Sequence, residues 1–205
     1  MKLDAVRVGI VGLGLVAESH LKGYATHPGA EVVAVCDLDR AKAEQFASQH
    51  HIKDIYTSHS EMLERADINT VDIATPTFLH ASMTRQAAEA GMHIHCEKPF
   101  CRSVGEGLEA CEVARQNDVK LLVGETYVFT SSHMKARELI IAGEIGRPLQ
   151  IRQRHGAWFE RKSTVGGKSS EARSWRVDGE KSGGGDYPWI FDHAVHFFSA
   201  AEYLM

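Results

Sequence analysis

Short runs of β-branched residues alternate along the chain with longer stretches in which apolar positions return every three or four residues. "VRVGIV" is followed by "LVAESHLKGYA", "EVVAVCD" by "DRAKAEQFASQH", "TVDIAT" by "HASMTRQAAEAG", and "HIHC" by "GEGLEACEVARQN", before a last run, "KLLVGE". A weaker pair, "DIYT" and "HSEMLERAD", fits a short edge strand and a short helix. This alternation predicts an α/β fold, a parallel sheet with helices on both faces. Six strand candidates suit the doubly wound order of a Rossmann sheet, in which the chain starts mid-sheet, runs to one edge and crosses back.

The pattern changes after "KLLVGE", which puts a domain boundary near Glu125 and divides the chain into residues 1–125 and 126–205. In "SSHMKARELIIAGEIGRPLQ" an amphipathic helix ends at Gly143, and a Gly-Arg-Pro turn opens a long alternating run, "LQIRQRHGAWF", that reads as a strand. A polar Gly, Ser and Arg-rich segment follows, and "YPWIFDHAVHFFSAAEYLM" closes the chain as a helix.

Composition narrows the partners. The 205 residues are 43% hydrophobic and 24% charged, ordinary for a globular protein, with a net charge of −4. No basic run offers a footprint for nucleic acid or an anionic membrane, and no apolar run approaches the roughly 20 residues that span a bilayer. A strand pattern begins within the first residues, which leaves no room for a signal peptide, so the cytoplasm is the expected compartment. Cys36, Cys96, Cys101 and Cys111 form no C-x-x-C pair, and Cys36 and Cys96 are expected as buried, reduced thiols. A small molecule is the expected partner.

The spacing in "GLGLVA" is G-x-G-x-x-A: Gly12, Gly14 and Ala17, directly after a strand and opening a helix. The first glycine permits a tight turn, the second lets backbone approach a pyrophosphate, and the small third residue lets helix and strand pack. Alone, this fits any strand-turn-helix. Asp37 at the end of the second strand, about 20 residues on, adds a carboxylate for the adenosine ribose hydroxyls. That carboxylate would repel a 2′-phosphate, which favours NAD; Arg40 nearby keeps NADP as the alternative.

"ATPTFLH" (Ala74 to His80) and "HCEKPF" (His95 to Phe100), taken with "GLGLVA", "SGGG" and "DHAVH", resemble the glucose-fructose oxidoreductase, inositol dehydrogenase and rhizopine-catabolism (Gfo/Idh/MocA) family over the whole chain. The resemblance implies an N-terminal Rossmann domain, a C-terminal α/β domain built on an open sheet, and NAD(P)-dependent oxidoreduction of a sugar, cyclitol or related polyol. It places Gly12, Gly14, Leu15, Val16 and Ala17 at the pyrophosphate and Asp37 at the adenosine ribose. Thr75, Pro76 and His80 would line the cofactor, Glu97 would sit near the nicotinamide ribose, and Lys98 would reach the substrate hydroxyl. Asp192 and His196 match the family's D-x-G-x-H, with Ala194 where glycine is usual. Trp175, Arg176 and Gly183 to Gly185 would surround the sugar. Family members continue well beyond this length, so the C-terminal domain is expected to be truncated, as a fragment or a natural truncation, with cofactor binding retained and turnover weak or absent in the chain alone. The full-length form is expected to be a homo-dimer or homo-tetramer.

Oxidising a secondary alcohol with NAD needs a base for the hydroxyl proton while hydride leaves the same carbon. Lys98 serves as that base only when neutral, a state favoured by partial burial or by the positive charge of oxidised nicotinamide. Asp192 and His196, four residues apart on one helix, share a face, so the carboxylate could orient the imidazole. His196 is then the acid-base group or the partner of Lys98, and Asp192 its orienter or a hydrogen-bond acceptor for the substrate; sequence leaves both orderings open. A rival reading makes Asp192, His193 and His196 ligands of a divalent metal, but it leaves "GLGLVA" and Lys98 unexplained. Two others keep the nucleotide: a cofactor-retaining relative (aldose oxidoreductase or NAD-dependent glycosidase), and a non-catalytic sensor or scaffold.

Overall fold

The structure, a computed structural model, describes residues 5–153, 175–176 and 178–205. The chain forms two compact units, Met1–Gly124 and Glu125–Met205.

In the first unit strands and helices alternate: β1 (Val6–Val11), α1 (Leu15–Ala25), β2 (Ala30–Cys36), α2 (Arg40–His50), β3 (Asp54–Tyr56), α3 (His59–Arg65), β4 (Thr70–Ile73), α4 (Thr77–Glu89), β5 (His93–Glu97), α5 (Val104–Gln116) and β6 (Leu121–Gly124). All neighbouring strands are parallel, in the order β3-β2-β1-β4-β5-β6. This is the doubly wound order, with its switch point between β1 and β4, where the connections diverge to opposite sides and open a crevice at the strands' C-terminal ends.

Alternate residues of the central strands feed two apolar clusters, one on each side of the sheet. Val8, Ile10 and Val35 pack with Leu13, Ala17, Ala43 and Phe46 from the α1 and α2 side. Val11, Val71, Ile73, Ile94 and Cys96 pack with Met62, Ala87, Ala88 and Ala114 from α3, α4 and α5. Because both faces are covered, β1 reads as a nearly unbroken apolar run rather than as an alternation. Asp39, Ser58 and Ser103 start α2, α3 and α5 by accepting the amides of Lys42, Glu61 and Glu106. The cysteines are free, with Cys36, Cys96 and Cys101 buried. Burial pushes the Cys36 thiol up to about 12, so it is an inert core group.

The second unit is helical among the described residues: a 3₁₀ turn (Tyr127–Phe129), α6 (Ser131–Ile141), α7 (Gly179–Ser182) and α8 (Pro188–Leu204). The strand expected in "LQIRQRHGAWF" is not formed over residues 150–153, and the rest of that run lies outside the described residues. A strand needs a backbone edge to pair with, and none is present among the described residues of this unit; the Gln153 side-chain amide donates instead to the Phe197 carbonyl at 3.1 Å. Helix α7 falls in the polar Gly, Ser and Arg-rich segment, started by Asp178, whose carboxylate accepts the amides of Glu180 and Lys181. No helix among the described residues is long and apolar enough to cross a membrane.

Candidate functional site

Beyond Val11 the chain turns at Gly12, whose φ of +89° belongs to the left-handed region. A Cβ there would lie 2.7 Å from the Ala74 carbonyl oxygen and 2.9 Å from Thr75 Cγ2, so the turn is sealed against the end of β4. Gly14 is the opposite case: a Cβ there would meet nothing within 4 Å. It is also the N-cap of α1 and supplies no side-chain cap, so first-turn amides stay available at the positive end of the helix. Ala17 is fully buried against the sheet, Val16 half-buried and Leu15 exposed. These residues fit a dinucleotide: open backbone and a helix N-terminus with no side-chain cap are what a pyrophosphate would require here.

Asp37 stands one residue past β2 and is tied to the same turn. The Leu13 amide donates to its Oδ2 at 2.9 Å and the Asp39 amide to its Oδ1 at 3.1 Å. The cation beside it is Lys42, with Nζ 2.5 Å from Oδ2. Arg40, the cation singled out from the sequence, turns away to pair with Glu44 at 2.9 Å on the exposed face of α2.

The next strand ends follow in register, Val11 beside Ile73 and Ile73 beside Cys96, so Gly12, Ala74 and Glu97 leave the sheet side by side. Thr75 and Pro76 lead into α4, with Pro76 at its N-cap. His80 corrects the expectation that it lines the cofactor, because it is 1% exposed. Its Nδ1 lies 2.8 Å from the Pro99 carbonyl and its Nε2 2.7 Å from the Thr75 carbonyl, so it braces the β4 and β5 end loops from beneath. Burial lowers its pKa, against the pull of those carbonyls. Lys98 is half-buried at the end of β5.

Glu97 carries a network that sequence reasoning missed. Its Oε2 accepts the Lys98 amide at 3.1 Å, and its Oε1 lies 3.0 Å from His20 Nε2 on α1. The other nitrogen of His20 sits 2.9 and 3.0 Å from the two oxygens of Asp72, a carboxylate fully buried in β4. Burial alone would lower the pKa of His20, but the bonds to Asp72 and Glu97 outweigh it and carry it up to about 10. Burial likewise opposes the charge on Asp72, yet His20 and His95 hold it down to about 2. Tyr24 reaches His95 Nδ1 at 3.2 Å, and burial beside Asp72 raises its phenol. The signal was present as Asp72 inside the apolar run "TVDI" and His95 inside "HIHC".

In the second unit, α8 presents Asp192 and His196, but they do not pair. His196 Nδ1 lies 2.8 Å from both oxygens of Glu125, and its ring stacks on Tyr127 at 4.2 Å between centroids and 12° between planes. The Tyr127 amide donates to the same Glu125 carboxylate at 2.8 Å. Glu125 therefore holds the ring in the way that was one of the two expectations for Asp192. Four residues along a helix brings two side chains to one face, but it does not make a shorter bond than a carboxylate held opposite the ring. With Nδ1 engaged by Glu125, Nε2 is the ring nitrogen left for proton exchange.

Asp192, 1% exposed, has His193 Nδ1 at 3.3 Å and Arg176 Nη1 at 3.8 Å from its Oδ2, and the Arg176 guanidinium lies over the Trp175 ring, 5.3 Å from its centroid. At Gly184, φ is +83° and a Cβ would come 2.4 Å from Phe191 Cβ, so "SGGG" is a turn pressed against α8. The metal set Asp192, His193 and His196 does not converge. Among the described residues, the ligand atoms that do lie together, within 4.8 Å, belong to His20, Asp72 and His95.

Comparison with known proteins places the chain. Residues 6–125 match the family profile described as "Oxidoreductase family, NAD-binding Rossmann fold", and residues 133–205 match the GFO/IDH/MocA C-terminal domain. The chain is 30% identical over 197 residues to the uncharacterized oxidoreductase YrbE of Bacillus subtilis, covering 96% of this chain and 53% of that protein. It is 37% identical over 145 residues to the scyllo-inositol 2-dehydrogenase (NAD(+)) of Bacillus subtilis, covering 70% and 42%. Among solved structures, scyllo-inositol dehydrogenase from Lactobacillus casei, with bound NAD(H) and scyllo-inositol, is similar at 26% identity and a TM-score of 0.66, covering 69% of this chain and 42% of that one. The chain spans about half the length of the curated relatives it matches.

Proposed function

Because the chain belongs to the Gfo/Idh/MocA family of NAD-binding oxidoreductases, we propose that the protein it represents is a dehydrogenase acting on a secondary hydroxyl of a cyclitol, sugar or related polyol. The observation that carries this reading is the register of the strand ends: Gly12 to Gly14, Thr75 and Pro76, and Glu97 and Lys98 emerge in order from adjacent strands β1, β4 and β5. A nucleotide on the first group thus has polar, proton-handling side chains next to it on the rim. The similarity to scyllo-inositol 2-dehydrogenase supports the substrate class.

NAD, when bound, supplies the hydride acceptor. The residues of the chain do the rest. The Gly14 turn and the α1 amides hold the pyrophosphate, Asp37 accepts from the adenosine ribose, and Glu97 accepts from the nicotinamide ribose. Lys98 stands at the substrate hydroxyl and takes its proton. In the second unit, His196, held by Glu125 and Tyr127, is a further group able to handle a proton, and Asp192, Arg176 and Trp175 form the polar cluster read as substrate-binding. The four free cysteines fit a reducing compartment, the cytoplasm.

The test is a panel of inositols, hexoses and their keto forms with NAD or NADH, followed at the reduced-nicotinamide absorbance band and by product analysis. At least one pair is expected to turn over, and Lys98→Ala is expected to lower turnover by about 100-fold or more while NADH affinity stays within about twofold. Bound NADH with no turnover of any such compound by the protein at the length of its relatives would sink the reading. Product formed at constant absorbance would replace it with a cofactor-retaining reaction.

A further inference from the structure

We propose that His20 is a positioning residue for the nicotinamide half of the cofactor: clamped between the buried Asp72 and the strand-end Glu97, it fixes the Glu97 carboxylate that meets the nicotinamide ribose. This rests on the reading of Glu97 given above and goes beyond it, since His20 reaches Glu97 from the body of α1 and not from the glycine turn.

The geometry leaves Glu97 little freedom. One oxygen is engaged by the imidazole of His20 at 3.0 Å and the other by the amide of Lys98 at 3.1 Å, so the carboxylate is pinned at both ends. His20 is pinned in turn, with Nδ1 bracketed by both Asp72 oxygens at 2.9 and 3.0 Å. A ring with both nitrogens on carboxylates must donate at both, which makes it an imidazolium. The fully buried Asp72 anchors the far end in the sheet, while Glu97 keeps 12% of its side chain exposed. The series therefore runs from the core outward to the rim.

The groups facing His20 come from each element packed against it: Asp72 from β4, Glu97 and His95 from β5, and Tyr24 one turn further along α1. His95 stands 3.5 Å from Asp72 Oδ1, and its ring is 5.0 Å from that of His20. Two carboxylates, Asp72 and Glu97, meet at the His20 ring, and removing that ring takes away the group held between them. A carboxylate so placed is free to turn or to take up a proton, and either change removes an acceptor for a ribose hydroxyl.

The experiment is calorimetric titration of the chain with NADH and, separately, with ADP, in the presence of EDTA, on the unaltered protein and on His20→Gln. ADP carries the pyrophosphate and adenosine ribose but lacks the nicotinamide ribose. His20→Gln is expected to weaken NADH by about tenfold or more while ADP stays within about twofold, and to add little in a Glu97→Gln background. Equal weakening of both ligands would mean that His20 merely supports the fold, and unchanged NADH binding would mean that Glu97 needs no clamp. Either result overturns the proposal. Failure of the unaltered chain to bind NADH or ADP would instead strike the cofactor site itself, and the proposal with it. Should the variant not fold, ¹⁵N-histidine spectra of the unaltered chain decide the matter. His20 is expected to be doubly protonated at neutral pH and to shift when NADH saturates the protein; a neutral ring, or one indifferent to NADH, overturns the assignment.

Discussion

The two units hold their candidate residues by different means. In the first, the backbone does it. Gly12, Thr75, Pro76 and Glu97 are placed by the ends of parallel strands, backed by apolar clusters on both faces of the sheet. In the second, side-chain pairs do it. Helix α6 has no buried residue, and Phe129, Met134, Ile141, Tyr187, Ile190 and Phe198 are exposed, while Glu125 and Asp192 are buried against His196 and Arg176. Sites on sheet ends inherit their precision from the fold, whereas sites built from pairs depend on each partner. Changes at the cradle are therefore expected to act through folding or through steric access, and changes in the second unit through proton handling.

The sharpest test lies within the cradle, between two glycines two residues apart. Gly12→Ala forces a side chain into a left-handed backbone and into the Ala74 carbonyl, and is expected to cost about 3 kcal/mol or more of stability in urea unfolding. Gly14→Ala has room and ordinary backbone angles, so stability should change by no more than about 0.5 kcal/mol. NADH affinity should nevertheless fall by about tenfold or more, because the methyl stands where the nucleotide must approach. Equal effects of the two on stability would erase the distinction between a sealed glycine and an open one.

The next effect in size is the response of stability to pH, which the first unit should dominate. His20 has a folded pKa of about 10 against an ordinary 6.5, so its stabilisation is complete below about 6.5 and lost as pH climbs toward 10. Asp72, depressed to about 2, works in the other direction, stabilising above its ordinary range and losing that contribution as pH falls toward 2. Unfolding free energy should therefore decline by roughly 3 kcal/mol between neutrality and pH ~10, and the decline should flatten in His20→Gln. A slope that survives the substitution would assign the pH response elsewhere. Smaller again is Glu125→Gln, expected to lower turnover by about 10- to 100-fold at unchanged NADH affinity, the signature of an orienter rather than a binding group.

How much of this was legible in the sequence follows the same division. The six strands, their order and the cofactor fingerprint were readable because strand and helix periods differ and because a sealed glycine, an open glycine and a strand-end acid leave marks at fixed spacing. The Asp192–His196 pairing was misread because helix periodicity says which residues share a face and nothing of what stands opposite. Glu125 arrives from the end of β6, 71 positions away from His196. The clamp of His20, Asp72 and Glu97 was illegible for the same reason: Asp72 stands out in "TVDI" and Glu97 in "HCEKPF", but they are joined through His20 only when α1, β4 and β5 pack. His80 shows the converse: the motif marked an important position, but burial makes it a brace.

The smallest effect concerns the choice between the two nicotinamide cofactors, and it reverses an expectation. Arg40 invited a role at a 2′-phosphate because it follows Asp37 closely, yet it is committed to Glu44, and the cation at Asp37 is Lys42. Lys42 is 43% exposed and its pair with Asp37 is worth at most about 1 kcal/mol, so its removal should leave the fold intact. Lys42→Ala should change NADH affinity by no more than about threefold, since Asp37 keeps its two backbone donors, and it should weaken NADPH further by removing the Lys42 charge held against that acid. Arg40→Ala should alter neither. Parallel NADH and NADPH titrations of both variants decide it: a larger NADPH loss in Arg40→Ala than in Lys42→Ala would show that the Arg40–Glu44 pair opens on binding, and that even at the sheet-built cradle an exposed side chain can overrule the arrangement that the backbone sets.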